Sequence, residues 1–244
     1  MTERGLILWS HNAHWFQGAP SLWREERAAP HPVALTALTD LYASLSPDLL
    51  LLQEVPGAEV AEELGGRLDM HGHFCPGGER PEYGGSIMWH RDLTGDVDDP
   101  SSCRTPVGCK FERICMHLRI NVGAHCLSLL NVHLPSNRFA PHRRGEPLRL
   151  AEIETAFDAV DSPDVVAGDF NERPDSSVYE YMQRRGYCDP HHNDSAERRI
   201  DYVWTRENRI QSRPLLSPEA FEISAYEGTA MSDHRPVGAE ITLT

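Results

Sequence analysis

The segment Leu49-Leu50-Leu51-Leu52-Gln53-Glu54 decides the fold class of this chain. Four consecutive leucines leave no polar face, so we predict a strand over residues 48–53 that is buried on both sides. Strands of that kind lie in sheets that helices cover on both faces, and they indicate an α/β fold. Glu54 ends the run, where a charged side chain is rarely buried without a partner. Glu54 is therefore either a ligand for a cation or a solvated cap on the sheet.

Apolar periodicity on either side of this segment predicts alternating helices and strands. Side chains that recur at spacings of three and four predict helices over 33–45, 57–68, 148–160 and 176–185. Short apolar runs predict further strands over 6–10, 83–90, 111–120, 125–132, 164–168, 200–205, 210–215 and 237–243. Residues 121–124 fit a hairpin turn, and residues 91–110, rich in aspartate and proline, are predicted to form an exposed loop. Hairpins combined with crossovers indicate a mixed sheet.

The length of the chain allows one large domain or two small ones, and we expect a single domain over residues 1–244. The chain is 40% hydrophobic, which is enough for one substantial core. No apolar run reaches the ~18 residues that a membrane span needs. The apolar stretch near the N-terminus is too short for a signal peptide, so we expect a cytoplasmic protein. Its six cysteines are then free thiols, unless export allows Cys103 and Cys109 to form a bridge.

The charge of the chain is unevenly distributed. A formal net charge of −14 argues against a protein that coats nucleic acid non-specifically. It does not exclude an enzyme that acts on nucleic acid, because local positive groups act within about one Debye length, ~8 Å. Arginines are concentrated in residues 138–149 and 198–213. These stretches are either phosphate-binding surfaces or ordinary solvated faces.

Polar residues recur at the ends of apolar runs along the whole chain. In an α/β sheet, such positions converge on a ligand. The segments with this pattern are 8–12, 51–55, 131–136, 167–171, 199–202 and 232–236. Their carboxylate, amide and imidazole groups are those that bind a hard divalent cation such as Mg²⁺ or Mn²⁺ and activate water. Together they predict one divalent-metal phosphoesterase site.

Segment 167–171 supplies the group that is expected to act on water. Asp169 and Asn171 are two residues apart, so they would lie on the same side of an extended backbone. One can hold the attacking water while the other bonds a phosphate oxygen, and Gly168 permits close approach of the backbone. The alternative is an ordinary Asx turn after a strand.

Segment 232–236 places two adjacent polar residues on opposite sides of the chain. Asp233 then fits a metal ligand, and His234 fits a phosphate contact whose imidazole needs an orienting acceptor. Asp201 is the candidate acceptor, although it can instead pair with Arg198 or Arg199.

His133 and Asn12 complete the candidate set. His133 ends a predicted strand and is either a phosphate contact or a hydrogen-bonded core histidine. Asn12 follows the first predicted strand and can bond the metal or a phosphate oxygen. Its alternative role is turn formation.

These residues together resemble the site of the endonuclease/exonuclease/phosphatase superfamily, which has the deoxyribonuclease I-like fold. The resemblance spans roughly residues 6–243 and rests on Asn12, Gln53-Glu54, His133, Gly168-Asp169-Phe170-Asn171, Asp201 and Ser232-Asp233-His234. It implies a four-layer α/β sandwich, in which helices flank two packed mixed β-sheets, and a phosphoester hydrolase that uses Mg²⁺ or Mn²⁺. The implied catalytic residues are His133, Asp169, Asn171, Asp201 and His234. The implied metal ligands are Glu54, Asp233 and Asn12.

Two residues bear on the branch of the superfamily. The segment Asn131-Val132-His133-Leu134 resembles the corresponding segment of several branches. These are the deoxyribonuclease I, sphingomyelinase, deadenylase, inositol-phosphatase and tyrosyl-DNA phosphodiesterase branches. Apurinic endonucleases similar to exonuclease III usually have a tyrosine there. His14 is a departure, because many relatives have an acidic residue two positions after the first-strand asparagine. The resemblance therefore leaves the number of metal ions, one or two, open.

We expect the substrate to be a phosphodiester, in nucleic acid or in a nucleotide-like molecule. The candidate substrate-binding residues are Arg138, Arg143, Arg144 and Arg173. The first alternative is a phosphomonoesterase that acts on a small phosphorylated metabolite or a lipid headgroup at the same site. No protein partner is predicted.

Two readings from other classes are less well supported. A catalytically silent binding module would lack the polar site residues in at least one of the six segments, and all six segments have them. A zinc hydrolase would need His71, His73 and Cys75, or His191 and His192. These residues lack the H-x-x-x-H spacing of a helical zinc site.

Overall fold

The computed structural model describes residues 5–23, 29–105, 108–137, 145–193 and 199–244, with the main chain alone at 104–105. Within these ranges the helices are α1 (Pro32–Leu45), α2 (Ala58–Leu68), α3 (Glu146–Ala159) and α4 (Ser177–Arg184). The strands are β1 (Leu6–Asn12), β2 (Leu49–Gln53), β3 (Met70–Cys75), β4 (Gly85–His90), β5 (Thr94–Asp98), β6 (Arg104–Thr105), β7 (Gly108–Cys109), β8 (Cys115–Val122), β9 (His125–His133), β10 (Val165–Asp169), β11 (Tyr187–Cys188), β12 (Asp201–Arg206), β13 (Ile210–Leu215) and β14 (Val237–Leu243). Short 3₁₀ turns cover His14–Phe16 and Pro100–Ser102.

Most of the strands form two six-stranded mixed sheets. The first has the order β13-β14-β1-β2-β4-β3, and the second has the order β11-β12-β10-β9-β8-β5. Each sheet contains one parallel pair, β1 with β2 and β9 with β10, between antiparallel neighbours. The short strands β6 and β7 pair only with each other. The predicted mixture of hairpins and crossovers is therefore confirmed.

The leucine run in β2 lies in two separate cores. Leu49 and Leu51 pack between the two sheets, whereas Leu50 and Leu52 pack against α1 and α2. All four side chains are fully buried, and each burial stabilises the fold by about 1.5–3 kcal/mol. A third apolar cluster joins α3 and α4 to the outer face of the second sheet. The predicted α/β sandwich, with helices flanking two packed mixed sheets, is confirmed.

Residues 91–110 contain more structure than the predicted exposed loop. β5 pairs with β8 at the edge of the second sheet, and Ser101 in the following 3₁₀ turn is buried. The prediction was wrong because β5 has the sequence Thr-Gly-Asp-Val-Asp, which has low strand propensity. Its pairing partner comes from a distant part of the chain. β3 was also not predicted, since its sequence Met-His-Gly-His-Phe-Cys lacks regular alternation.

A pair of buried amides joins the two sheets at the end where β2 and β9 finish. The side chain of Gln53 donates through Nε2 to Asn131 Oδ1 at 2.8 Å. Asn131 Nδ2 in turn lies 3.1 Å from the carbonyl oxygen of Leu52 and 3.2 Å from that of Ser86. Both amides are fully buried, so an unmade bond would cost about 1–3 kcal/mol. These bonds hold the two sheets in one relative position at this end.

Two other expectations concern the cysteines and the membrane. The structure describes all six cysteines, and none of them, including Cys103 and Cys109, forms a disulfide. None of the helices in the described ranges is both long and apolar enough to cross a membrane.

Candidate active site

The candidate site lies where the parallel strands of both sheets end. In the first sheet, Asn12 at the end of β1 is paired with Gln53 at the end of β2, which Glu54 follows. In the second sheet, Asp169 at the end of β10 lies between its strand neighbours His133 and Asp201. The ends of the two sheets meet, because the side chain of Asn12 bonds that of Asp169. The predicted convergence of the six segments therefore occurs.

Gly168 allows the two parallel strands of the second sheet to come together at this point. It has φ 143°, and a Cβ on it would lie 1.9 Å from the carbonyl oxygen of Val132. Any other residue would therefore push β10 away from β9. The predicted need for close backbone approach is confirmed, and it keeps Asp169 beside His133.

Asp169 is the centre of the site. Its Oδ2 accepts from Asn12 Nδ2 at 3.1 Å and lies 3.1 Å from His133 Nε2, while its Oδ1 accepts from the backbone N–H of Asn171 at 2.9 Å. Burial raises the pKa of this carboxyl, but the imidazoles of His133 and His234 outweigh burial and hold its pKa well below the usual range. Asp169 is therefore a buried carboxylate at neutral pH.

His234 is held between two carboxylates. Its Nδ1 lies 2.8 Å from Asp201 Oδ2, and its Nε2 lies 3.9 Å from Asp169 Oδ2. Burial lowers the pKa of His234, but the two carboxylates outweigh burial and raise it to about 11. Arg199 pairs with Asp189 instead, through an N–H donated at 3.0 Å. The alternative pairing of Asp201 with Arg199 is therefore wrong, and Arg198 lies outside the described residues.

His133 has a different environment. It is fully buried, its Nε2 faces Asp169, and its Nδ1 has no hydrogen-bond partner within the described ranges. Burial lowers its pKa, and the adjacent guanidinium of Arg113 lowers it further. His133 is therefore a neutral imidazole.

Arg113 is a site residue that the sequence patterns did not reveal. Its side chain is buried, contacts His133 Nε2 directly and donates to Ser136 Oγ at 3.0 Å. The guanidinium carbon lies 4.2 Å from the centroid of the Tyr83 ring, which is a cation–π contact. Arg113 was predicted to lie within a strand over 111–120, but β8 begins only at Cys115. The signal available was a charged residue placed directly before a buried strand.

Glu54 lies at the edge of the site nearest β1. Its side chain is 9% exposed, and its oxygens lie 3.8 Å from His14 Nδ1 and 3.9 Å from His133 Nε2. Burial raises the pKa of Glu54, but His14 and then His133 outweigh burial and lower it. Asp233 is half exposed and lies 3.3 Å from the same His14 nitrogen. The solvated-cap alternative for Glu54 is therefore wrong.

Asn12 is more constrained than the other two predicted metal ligands. Its Nδ2 donates to Asp169, and its Oδ1 accepts from the backbone N–H of His14 at 3.0 Å. A second possible metal site is formed by Asp169, Asp201 and His234, whose potential ligand atoms all lie within 4.8 Å of one another. The structure thus offers a second set of possible metal donors, which includes Asp169 itself.

The backbone turns sharply after Asp169, contrary to the extended conformation that we assumed. Asn171 has φ 50°, and its backbone N–H returns to Asp169 Oδ1, which is the Asx turn of the alternative reading. Its Nδ2 donates to the carbonyl oxygen of Leu134 at 3.0 Å. The two side chains therefore do not lie on one face of an extended strand, and the prediction from their spacing was wrong. Asn171 nevertheless remains next to Asp169 because the turn itself brings it there.

The predicted substrate-binding arginines are only partly described. Arg173 is exposed on the loop before α4. Arg138, Arg143 and Arg144 lie outside the described residues. Within the described ranges, His71, His73, His191 and His192 belong to no group of metal-binding side chains, so the zinc-hydrolase alternative finds no support.

Two pockets open beside the strip Asp233-His234-Arg235. One, of about 470 Å³, is lined by Ile200, Pro214 and Leu215, with Arg199 at its wall. The other, of about 750 Å³, is lined by Glu219, Glu222 and Glu227. One side of the site is therefore largely apolar with arginines, and the other side is acidic.

Solved structures with the same fold include enzymes with different substrates. The human Nocturnin catalytic domain with bound sulfate matches with a TM-score of 0.74 at 17% identity, over 99% of this chain and 94% of that chain. A mannosyl-6-phosphatase from Bacteroides thetaiotaomicron matches with a TM-score of 0.69 at 15% identity, over 97% and 99%. TDP2 from D. rerio, complexed with a single-strand DNA product, matches with a TM-score of 0.65 at 14% identity, over 97% and 98%.

The sequence comparisons point in the same direction. Curated protein sequences give no significant match to the chain. Residues 10–234, which include every predicted site residue, match the sequence model of the Endonuclease/Exonuclease/phosphatase family. Members of this family hydrolyse phosphoesters and typically depend on a divalent metal. The chain therefore belongs to the endonuclease/exonuclease/phosphatase family.

Proposed function

We propose that this protein is a Mg²⁺- or Mn²⁺-dependent phosphodiesterase that attacks its substrate with water. The observation that carries the proposal is the ionised Asp169, which two imidazoles of different charge face at 3.1 and 3.9 Å. A carboxylate in that position can orient and deprotonate a water. An imidazolium on its other side can stabilise charge on the phosphate or on the leaving oxygen.

Glu54, with Asp233 and Asn12, is the proposed metal-binding set. Glu54 offers a buried carboxylate whose partners at 3.8 and 3.9 Å are imidazoles, so its oxygens suit a hard cation. In the group Asp169, Asp201 and His234, the Nδ1 of His234 and the Oδ2 of Asp201 already share a 2.8 Å bond, and Asp169 Oδ2 accepts from Asn12. When bound, a divalent metal neutralises negative charge on the phosphoryl oxygens.

The remaining residues have proposed roles in holding the phosphate. Arg113 places a charged donor against His133, whose Nε2 also faces Asp169. Asn171 uses one amide hydrogen on Leu134, and its second hydrogen suits a non-bridging oxygen. Asp201 orients His234 and fixes its ring nitrogens. Arg173, Arg138, Arg143 and Arg144 remain proposed contacts for neighbouring phosphates.

A diester is favoured by the combination of an imidazolium with a largely apolar neighbouring pocket. A diester carries organic groups on two of its oxygens, so it benefits from space for the second group as well as from charge stabilisation of the leaving oxygen at His234. The pocket of about 470 Å³ supplies that space and has Arg199 and Arg235 at its wall. The D. rerio TDP2 structure with a DNA product is a precedent for a nucleic-acid ligand on this fold.

The alternative is a phosphomonoesterase that acts on a small phosphorylated metabolite or lipid headgroup. The acidic pocket on the other side of Asp233 favours it, because Glu219, Glu222 and Glu227 would repel the neighbouring phosphates of a polymer. The mannosyl-6-phosphatase of the same fold is a precedent for such a substrate.

The test is a product-release assay with matched substrates. Duplex DNA, single-stranded DNA, RNA, bis-p-nitrophenyl phosphate, p-nitrophenyl phosphate and sugar or inositol phosphates are compared with Mg²⁺, Mn²⁺ and excess chelator. We expect a diester to be the better substrate, and we expect chelation to abolish turnover that either metal restores. Full turnover in excess chelator would contradict the metal requirement.

Salt dependence separates a polymer substrate from a small one. If several phosphates of a duplex are bound, the affinity falls with salt at a log–log slope of about −0.9 per phosphate. The KM for a short duplex and that for a small diester are therefore compared at low and physiological salt. A flat response together with faster turnover of the monoester would favour the phosphatase alternative.

A further inference from the structure

His14 lies between the two carboxylates that we propose as metal ligands. Its Nδ1 is 3.3 Å from Asp233 Oδ1 and 3.8 Å from Glu54 Oε2. The ring is about three-quarters buried, with a side-chain exposure of 24%. His14 therefore faces the proposed metal position.

The backbone holds His14 in this place. Residues His14, Trp15 and Phe16 have φ values of 46°, 48° and 56°, a left-handed turn that is unusual for side chains of this size. The turn is fixed to the end of β2, because the N–H of Ala13 bonds the carbonyl oxygen of Gln53 and the N–H of Trp15 bonds that of Glu54, both at 2.9 Å. The position of His14 relative to Glu54 is thus set by main-chain bonds.

The spacing of the three side chains suits a shared cation. Neighbouring ligand atoms on an octahedral ion with bonds of about 2.1 Å lie roughly 3 Å apart. The 3.3 Å separation between His14 and Asp233 is close to this value, and the 3.8 Å separation from Glu54 is somewhat larger. The side chain of Asp233 is 52% exposed, so it is free to rotate toward the other two. Glu54 is nine-tenths buried, and one of its oxygens faces His14.

We propose that Nδ1 of His14 is a nitrogen ligand of the metal, together with Glu54 and Asp233. This inference rests on the proposed function, in which the site holds a divalent metal. Mg²⁺ strongly prefers oxygen ligands, whereas an imidazole nitrogen favours later transition metals along the series from Mn²⁺ to Co²⁺ and Ni²⁺. His14 therefore shifts the metal preference of this site away from Mg²⁺. An acidic residue at position 14 would make the same site an all-oxygen site.

The first experiment measures metal binding without turnover. Isothermal titration calorimetry gives the affinities of the whole chain for Co²⁺ and Mg²⁺, with variants His14→Ala, His14→Asp and Glu54→Gln. The exposed His73 on β3 provides the matched control His73→Asp. We expect both His14 variants to lower the ratio of Co²⁺ to Mg²⁺ affinity by about 10–100-fold. We expect His73→Asp to leave the ratio unchanged.

The second experiment detects the nitrogen directly. Pulsed electron paramagnetic resonance of the Mn²⁺-loaded protein reports ¹⁴N modulation from a coordinated imidazole. We expect this modulation in the unmodified protein and in His133→Gln, and we expect His14→Ala to remove it. Unchanged modulation in His14→Ala, or an unchanged affinity ratio in both His14 variants, would overturn the assignment of His14 as a ligand.

Glu54→Gln separates failure of this inference from failure of the metal site. If Glu54→Gln weakens metal binding while the His14 variants do not, the site stands and His14 is not a ligand. If Glu54→Gln leaves binding of both metals unchanged, the proposed metal position is wrong, and the inference about His14 falls with it.

Discussion

His133 at the end of β9 and His234 in the segment before β14 face the same carboxylate, and they differ in charge. His234 has a carboxylate on each side, which raises its pKa to about 11 and makes it an imidazolium. His133 is fully buried beside the guanidinium of Arg113, and burial first and then that positive charge lower its pKa. The same side chain therefore has opposite properties because its neighbours differ. Residue type alone does not assign the acid and the base in such a site.

Because of this difference, the positive charge near Asp169 comes from different groups on its two sides. The His234 side contributes fixed positive charge through the imidazole, whereas the His133 side contributes it through Arg113. Asp169 is neutralised from both directions and stays ionised despite being 2% exposed. The two sides can be altered separately, which allows the comparison to be tested.

The largest effect is expected from removing the carboxylate that the two imidazoles share. Asp169→Asn keeps the shape but removes the negative charge and the proposed base, so turnover of bis-p-nitrophenyl phosphate should fall ~10²–10⁴-fold. The matched control is Asp175→Asn, which alters an exposed carboxylate on the following loop. A loss below about threefold, outside the range typical of general-base removal, would mean that another group activates the water.

The next effect breaks the His234 side alone. Asp201→Asn removes the negative charge beside Nδ1 but keeps an oxygen that can accept, so the pKa of His234 should fall and turnover should drop by about tenfold or more. Because the imidazolium is then lost as pH rises through the lowered pKa, the loss should be greater at pH 8 than at pH 6. Nitrogen NMR of the ring and the pH dependence of turnover check both points. A His234 that remains charged at pH 8 in this variant would show that Asp169 alone suffices.

A smaller effect is expected when the pKa of His133 is raised, so that it becomes more similar to that of His234. Arg113→Met removes the positive charge beside His133, so the pKa of His133 should rise. Turnover should fall by roughly tenfold, because one charge-assisted donor to the site is lost. The matched control is Arg119→Met, which removes an exposed arginine of β8. An unchanged His133 titration in Arg113→Met would mean that burial alone lowers its pKa.

The smallest effect concerns the pH dependence of folding stability, which we expect Glu152 to influence. Glu152 is buried, its Oε1 accepts the N–H of Glu112 at 2.8 Å, and burial raises its pKa from an ordinary value near 4.5 to about 8. The folded protein therefore binds a proton that the unfolded chain releases, and stability falls as pH rises between these two values. Glu152→Gln keeps the acceptor and should reduce this fall by roughly 1–3 kcal/mol. Urea midpoints at pH 6 and pH 8.5 measure it, and equal pH dependence in both proteins would contradict it.

The sequence predicted the parts of the molecule that depend on local patterns. Four leucines predicted a strand with two buried faces, and the polar residues at strand ends predicted the meeting of Asn12 with Asp169. The pairing of Asp201 with His234 also followed, because an imidazole at such a site needs an acceptor.

The parts that could not be predicted depend on contacts between distant residues. The contact of Arg113 with His133 could not be predicted, because His133 is 20 residues away, at the end of β9. Asn171 leaves the extended conformation because its N–H finds Asp169 and its side chain finds Leu134. β5 forms because β8 offers an open edge, which local propensity does not encode.

The amide pair Gln53 and Asn131 has a mechanical consequence. Apolar contacts between sheets are non-directional and resist sliding weakly, whereas a buried hydrogen bond has a preferred geometry and resists shear. Gln53 lies one residue before Glu54, and Asn131 lies two residues before His133. The pair therefore stiffens the end of the sandwich where the two halves of the site must keep their spacing. Adaptation to a new substrate therefore falls to the loops around the rim, which can change in length and composition without disturbing this alignment.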